Sequence, residues 1–130
     1  MKILSVVNQK GGVGKTTTSI NLSACLFKMK RIVLLVDLDP QSNATRGSGI
    51  DASIIQTSIN DVLLDRANIE KAIIKSQFDG YDILPATPSL TESEVALVAR
   101  EEREFILKKK LSSVLGRYDY ILMDCPPSLN

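Results

Sequence analysis

Residues 10–17 read Lys-Gly-Gly-Val-Gly-Lys-Thr-Thr, three glycines in four positions followed by a lysine and two hydroxyls. Glycines at that spacing let the backbone turn tightly and aim its N–H groups inward. They form a concave nest for phosphate oxygens at the positive end of a following helix. Lys15 can then lie along the β- and γ-phosphates of a nucleotide, and the Thr16 hydroxyl can bind Mg²⁺. The run departs from the general Gly-x-x-x-x-Gly-Lys-[Ser/Thr] pattern in one place, because Gln9 stands at the first glycine. A second lysine, Lys10, stands beside it. A glycine-rich turn without a ligand is the bland alternative. It requires the glycines, the Gly-Lys-Thr, an apolar strand before and a helix after to coincide by chance.

Three carboxylates follow apolar runs: Asp37 and Asp39 after Ile32–Val36, and Asp124 after Tyr118–Met123. In parallel α/β sheets ligands collect outside the carboxyl ends of the strands, so these acids should face the same cleft as the glycine loop. A carboxylate there can hold a Mg²⁺-bound water or orient an attacking one. Each Asp taken singly can also cap a turn, and for Asp37 both readings stay open. For Asp39 and Asp124 the strands that deliver them favour the functional reading. Cys25 and Cys125 sit in apolar stretches and read as small hydrophobes.

The elements that must position these residues alternate strand and helix. Lys2–Val7 is apolar and β-branched, and the glycine run follows it at once. From Lys15 onward, Ile20, Leu22, Ala24, Cys25, Leu26 and Met29 recur at helical spacings. Ile32–Val36 is apolar throughout, as expected for a parallel strand covered on both faces. Gln41–Asp51 reads as a loop or a short helical turn. Thr57–Leu64 and Asn68–Ile74 suggest two short helices, and Tyr81–Leu84 a short third strand before Pro85. Thr91–Leu115 should be mostly helical, with Leu107, Leu111, Val114 and Leu115 on one face and either a break or a solvated middle turn at the charged block Arg100–Glu104. Gly116 would end it, and Tyr118–Asp124 forms the fourth strand, stopped by Pro126-Pro127. Such alternation implies a parallel sheet with right-handed crossovers, an α/β fold of the P-loop NTPase type.

Composition narrows the chemistry. With 130 residues, 44% of them hydrophobic, the chain can bury one domain core. Sixteen basic against fifteen acidic residues leave a net charge of +1, too little for a global field that would hold a polyanion. No apolar stretch is long enough to span a membrane or form a signal-peptide core, so a cytoplasmic protein is expected. Histidine is absent and only two cysteines occur, which removes histidine catalysis and most zinc chemistry.

Lys10-Gly-Gly-Val-Gly-Lys-Thr-Thr-Thr, Val36-Asp-Leu-Asp-Pro-Gln41 and Leu122-Met-Asp-Cys-Pro-Pro-Ser128 together resemble the ParA/Soj chromosome and plasmid partition ATPases. These belong to the deviant Walker A superfamily that also contains the MinD cell-division ATPases. Leu84-Pro-Ala-Thr-Pro88 fits the resemblance too. It implies that Lys10 is the signature lysine reaching the phosphates of a partner's nucleotide in an ATP-bound homodimer. Lys10, Gly11, Gly12, Val13, Gly14, Lys15, Thr16 and Thr17 would bind ATP or ADP, with Gly11 and Gly12 at the dimer face. Thr16 and Asp124 would serve Mg²⁺, Asp124 as the Walker B acid, while Lys10, Lys15 and Asp39 would act in hydrolysis, Asp39 on the attacking water. An arginine finger or its equivalent contributes about 10³ to 10⁵ in rate, and a lysine supplied across a dimer would make hydrolysis depend on assembly.

Members of that family continue well beyond Walker B, so residues 1–130 are expected to be the N-terminal part of a single ParA-type ATPase domain, truncated after the Walker B strand. The implied function is an ATP-dependent dimerisation switch in chromosome or plasmid partitioning. A ParB-like partner would stimulate hydrolysis, and non-specific DNA would be bound through the missing C-terminal half, which makes the complete member nucleoid-associated. No membrane contact is expected. A MinD-like cell-division ATPase remains the alternative, although Pro40-Gln41 after Asp39 looks more like the partition branch. An inactive remnant without an adenine pocket is a second alternative. An iron-sulfur electron donor would need cluster cysteines that Cys25 and Cys125 do not supply.

Overall fold

The computed structural model describes residues 2–7, 13–76, 80–97 and 100–125. Strand β1 (Lys2–Val7) is followed by helix α1 (Val13–Lys28), β2 (Val33–Asp37) and a short α2 (Asn43–Gly47). Two further short helices, α3 (Ile59–Leu63) and α4 (Ile69–Ala72), lead to a hairpin of β3 (Ile74–Lys75) and β4 (Asp82–Leu84). Helices α5 (Leu90–Ala96) and α6 (Arg100–Leu111) precede the last strand, β5 (Tyr120–Cys125). The sheet order is β1-β5-β2-β4-β3. β1, β5, β2 and β4 run parallel, and β3 alone is antiparallel, paired with β4.

The strands show why an unbroken apolar run was needed. Leu34, Val36, Leu84, Ile121 and Met123 face a core shared with α3 to α6, whereas Val33, Leu35, Ile83 and Leu122 face a second core beneath α1 and α2. Alternate residues thus bury on opposite sides of one sheet, the period-two geometry of a strand covered on both faces. Leu107, Leu111 and Val114 are buried together in the first core, with Leu115 against them, as their spacing predicts. The expected long helix is two helices, and the break falls just before the charged block rather than inside it. Leu97 turns the chain there, while residues 98–99 lie outside those described.

Three helices close with the same device. After α1, Lys30 N–H donates to Phe27 and Arg31 N–H to Leu26; after α2, Gly49 and Ile50 donate to Arg46 and Thr45; after α3, Asp65 and Arg66 donate to Val62 and Asp61. Each is the paired reverse bonding of a Schellman turn, with Lys30, Gly49 and Asp65 at the left-handed position. On α1, Ile20, Leu22, Ala24 and Leu26 lean on the second core. Cys25 is exposed and Met29 is 65% exposed, so the expectation that both pack inward is corrected. Ser19 and Ser23 carry the buried stripe, and Cys25, two residues beyond Ser23, is turned about 200° away from it. Cys125 is half-buried. Between α3 and α5, Glu92 accepts a two-pronged bond from Arg66, 2.8 Å at each oxygen, and a third from Asn60 at 3.1 Å. Those donors hold its carboxyl down to about 2. Burial and the Asp82 carboxylate push the Tyr118 phenol above its usual range. No helix among the described residues is long and apolar enough to cross a membrane.

Candidate functional site

Because β1, β5 and β2 are parallel neighbours, their carboxyl ends share one edge of the sheet. Val6 is in register with Asp124, and Asp124 is in register with Asp37. The end of β1 therefore lies beside the end of β5, and α1 begins six residues further along the chain. Val13, Gly14, Lys15, Thr16 and Thr17 open α1, with side chains outside what is described; Lys10, Gly11 and Gly12 lie outside the described residues altogether. A little further along the helix, the Ser19 hydroxyl donates to Asp124 Oδ1 at 2.8 Å. This buried bond crosses 105 residues of sequence and locks α1 against the acid at the end of β5.

The loop after β2 is organised by its two acids. Asp37 is wholly buried, and its carboxylate accepts the Asp39 N–H at 3.0 Å, the Thr45 N–H at 2.9 Å and the Thr45 hydroxyl at 2.6 Å. Both ends of the loop are thereby held to one side chain. The Thr45 hydroxyl also accepts the Ala86 N–H at 3.0 Å, which fastens the segment after β4 to the same point. Burial, with a smaller push from neighbouring Asp124, raises the Asp37 carboxyl to about 6 despite the donors. The neutral form is the one this pocket favours, so its contribution to stability is complete below the ordinary carboxylate range and is lost as pH rises through about 6. Asp37 thus acts as a structural clamp on the loop after β2.

Asp39 is 6% exposed, beyond the end of β2. Its Oδ1 accepts the Gln41 N–H at 2.9 Å and its Oδ2 accepts the Asn43 side-chain amide at 3.1 Å. Asn43 is in turn held by Arg46, whose Nη2 donates to Asn43 Oδ1 at 3.2 Å and to the Gln41 carbonyl. Ser42 stands inside this turn with φ 61°, and its buried hydroxyl has no partner among the described residues. Ser42, Asn43, Thr45 and Arg46 escape a sequence reading, since polar residues after a strand look like any loop. The only local signal is their density between Asp39 and Ser48. The structure therefore brings Asp39 and Asp124 to adjacent strand ends, at the edge where β1 gives way to α1.

A parallel sheet with helices on both faces, a strand–helix junction of phosphate-loop sequence and two acids on neighbouring strand ends define a P-loop nucleoside-triphosphatase fold. The chain belongs to the AAA domain family, which matches residues 1–130, and within it to the ParA/Soj branch, as its N-terminal half. It is 48% identical over 128 residues to the sporulation initiation inhibitor protein Soj of Bacillus subtilis, covering 98% of this chain and 51% of Soj. It is 47% identical to the chromosome partitioning protein ParA of Myxococcus xanthus, covering 98% of this chain and 45% of that one. Among solved structures, cobyrinic acid a,c-diamide synthase from Mycobacterium smegmatis with bound ADP and magnesium superimposes with a TM-score of 0.91. That match has 41% identity and covers 98% of this chain and 52% of the synthase. The chain spans about half the length of the curated relatives it matches.

Proposed function

We propose that this chain is the phosphate-binding half of a ParA/Soj-type ATPase, a cytoplasmic switch that dimerises on ATP and is reset by hydrolysis during chromosome or plasmid partitioning. The observation that supports this most is the delivery of Asp39 and Asp124, both buried, to neighbouring parallel strand ends beside the β1–α1 junction. Lys15 and the backbone of residues 11–16 would cradle the phosphates at the positive end of α1. Thr16 and Asp124 would hold Mg²⁺. Among the described residues no three His, Cys, Asp or Glu side chains converge on a metal position. Mg²⁺ takes one or two protein oxygens and completes its shell with phosphate and water. The ion would neutralise charge on the β- and γ-phosphates. Asp39, held from two sides, would accept a hydrogen bond from the attacking water and orient it. Lys10 would add positive charge at the γ-phosphate of a second subunit, so turnover would wait on assembly. A ParB-like protein would stimulate hydrolysis, and DNA contact would belong to the remainder of a complete family member.

Titration calorimetry of the chain with MgATP and MgADP tests this reading. Binding is expected, and Lys15→Ala should abolish it, because a direct phosphate contact is lost. Lys10→Ala should leave MgADP affinity nearly intact while impairing ATP-dependent dimerisation in sedimentation. Absence of nucleotide binding, or equal loss of MgADP affinity in the two variants, would overturn it.

A further inference from the structure

We infer that Asn43 and Arg46 form a positioning relay for Asp39, fixing the direction in which its carboxylate presents itself to water; this rests on the role proposed for Asp39 above. Asp39 Oδ1 is committed to the Gln41 N–H, so the rotation of the carboxylate is decided at Oδ2. Asn43 supplies the side-chain bond there, through its amide nitrogen at 3.1 Å. A carboxamide can turn over and present its oxygen instead, which would set two acceptors against each other. Arg46 prevents that by donating to Asn43 Oδ1 at 3.2 Å, so that the nitrogen is left facing Asp39. The same guanidinium nitrogen donates to the Gln41 carbonyl, holding the peptide run whose N–H occupies the other oxygen of Asp39.

The relay also stands on a rigid mount. Asn43 opens α2, and two residues later Thr45 is bonded through both its N–H and its hydroxyl to buried Asp37. Asn43 and Arg46 themselves are exposed. Their side chains can therefore be changed without opening the core. Catalysis by an oriented carboxylate depends on geometry, and small misplacements are costly.

Single-turnover hydrolysis and MgATP affinity should be measured for Asn43→Ala, Asn43→Asp, Arg46→Lys, Arg46→Ala and Asp39→Ala, and for the double variant Asn43→Ala/Asp39→Ala. Asn43→Ala is expected to slow hydrolysis by about tenfold or more with affinity changed less than about twofold. Asn43→Asp should be slower still, because it sets a second negative charge beside Asp39. Arg46→Lys should retain more activity than Arg46→Ala. In the Asp39→Ala background, Asn43→Ala should slow nothing further. A full additional loss there, or a fall in affinity matching the fall in rate, would overturn the relay.

A nucleotide-free readout separates this inference from the reading it rests on. The Asn43 side-chain amide resonance should move on Asp39→Ala and on Arg46→Ala. If it moves in neither, the relay is wrong whatever the enzyme does. A chain that binds no MgATP would count against the proposed function, and the resonance alone then decides the relay.

Discussion

Ser42 and Lys30 have φ of 61° and 64°, where the β-carbon of an L residue crowds its own carbonyl. Lys30 is exposed, and its backbone is held there by the Schellman turn after α1, so the strain is the whole of its cost. Ser42 combines that strain with a buried hydroxyl that finds no partner among the described residues. A left-handed non-glycine residue costs about 1–2 kcal/mol, and glycine gives back about 0.4–1 kcal/mol through the freer unfolded chain. An orphaned buried hydroxyl costs about 1–3 kcal/mol more. Lys30→Gly should therefore stabilise the fold by about 0–1.5 kcal/mol, and Ser42→Gly by about 1–4 kcal/mol. Urea unfolding of the two variants gives the comparison. A Ser42→Gly variant no more stable than the parent would mean that its hydroxyl is satisfied in solution, which the static contacts do not show.

At the scale of elements, Thr45 joins three of them through one hydroxyl: it donates to Asp37 at the end of β2, sits in α2, and accepts the Ala86 N–H after β4. Thr45→Val keeps the shape and removes both bonds. A buried carboxylate then loses its shortest donor and a buried N–H loses its acceptor, a cost of about 2–4 kcal/mol in all. Urea unfolding should show that loss, and exchange of the Ala86 amide should quicken relative to its neighbours; an unchanged Ala86 amide would show that the hydroxyl is not its partner. This bond also marks where a sequence reading stops. β1, β2, β4 and β5 are legible because apolar, β-branched runs leave no other element that could bury them. Asp39 and Asp124 are legible because such runs deliver them. β3 is not, because Ile74 and Lys75 are too few to show a pattern and pair only through their hairpin with β4. α2 is hidden in a polar loop, for its stability comes from Asp37 and from contact with α1 rather than from its own five residues. Ser19 and Thr45 are hidden for the same reason, since their partners stand 105 and 41 residues away.

At the scale of the whole molecule, the last described strand in sequence, β5, lies inside the sheet. β5 separates β1 from β2, and among the described residues β1 pairs with no other strand. Lys2 meets Tyr120, so the first strand cannot join the sheet until β5, far along the sequence, has been made and brought back to it. Closing so long a loop adds only logarithmically to the entropic cost but delays the contacts that repay it, which predicts slow folding. The parallel ladder then makes the geometry of the proposed nucleotide edge a property of β5: it is the strand against which both the end of β1 and the end of β2 are registered. Leu122 lies at its middle, fully buried, in register with Leu4 on one side and Leu35 on the other. Leu122→Ala should cost about 2–5 kcal/mol, as a truncation in a site that cannot collapse. Its effect on amide exchange should be uneven. β1 should lose as much protection as β2 or more, since its described pairing is to β5 alone, whereas β2 retains its ladder with β4. Amides of α3, bound to α5 through Asn60 and Ser93, should change least. If β1 kept its protection while β2 lost it, β5 would not be the strand that holds β1 in the sheet, and the shared edge to which Asp39 and Asp124 are delivered would have another source.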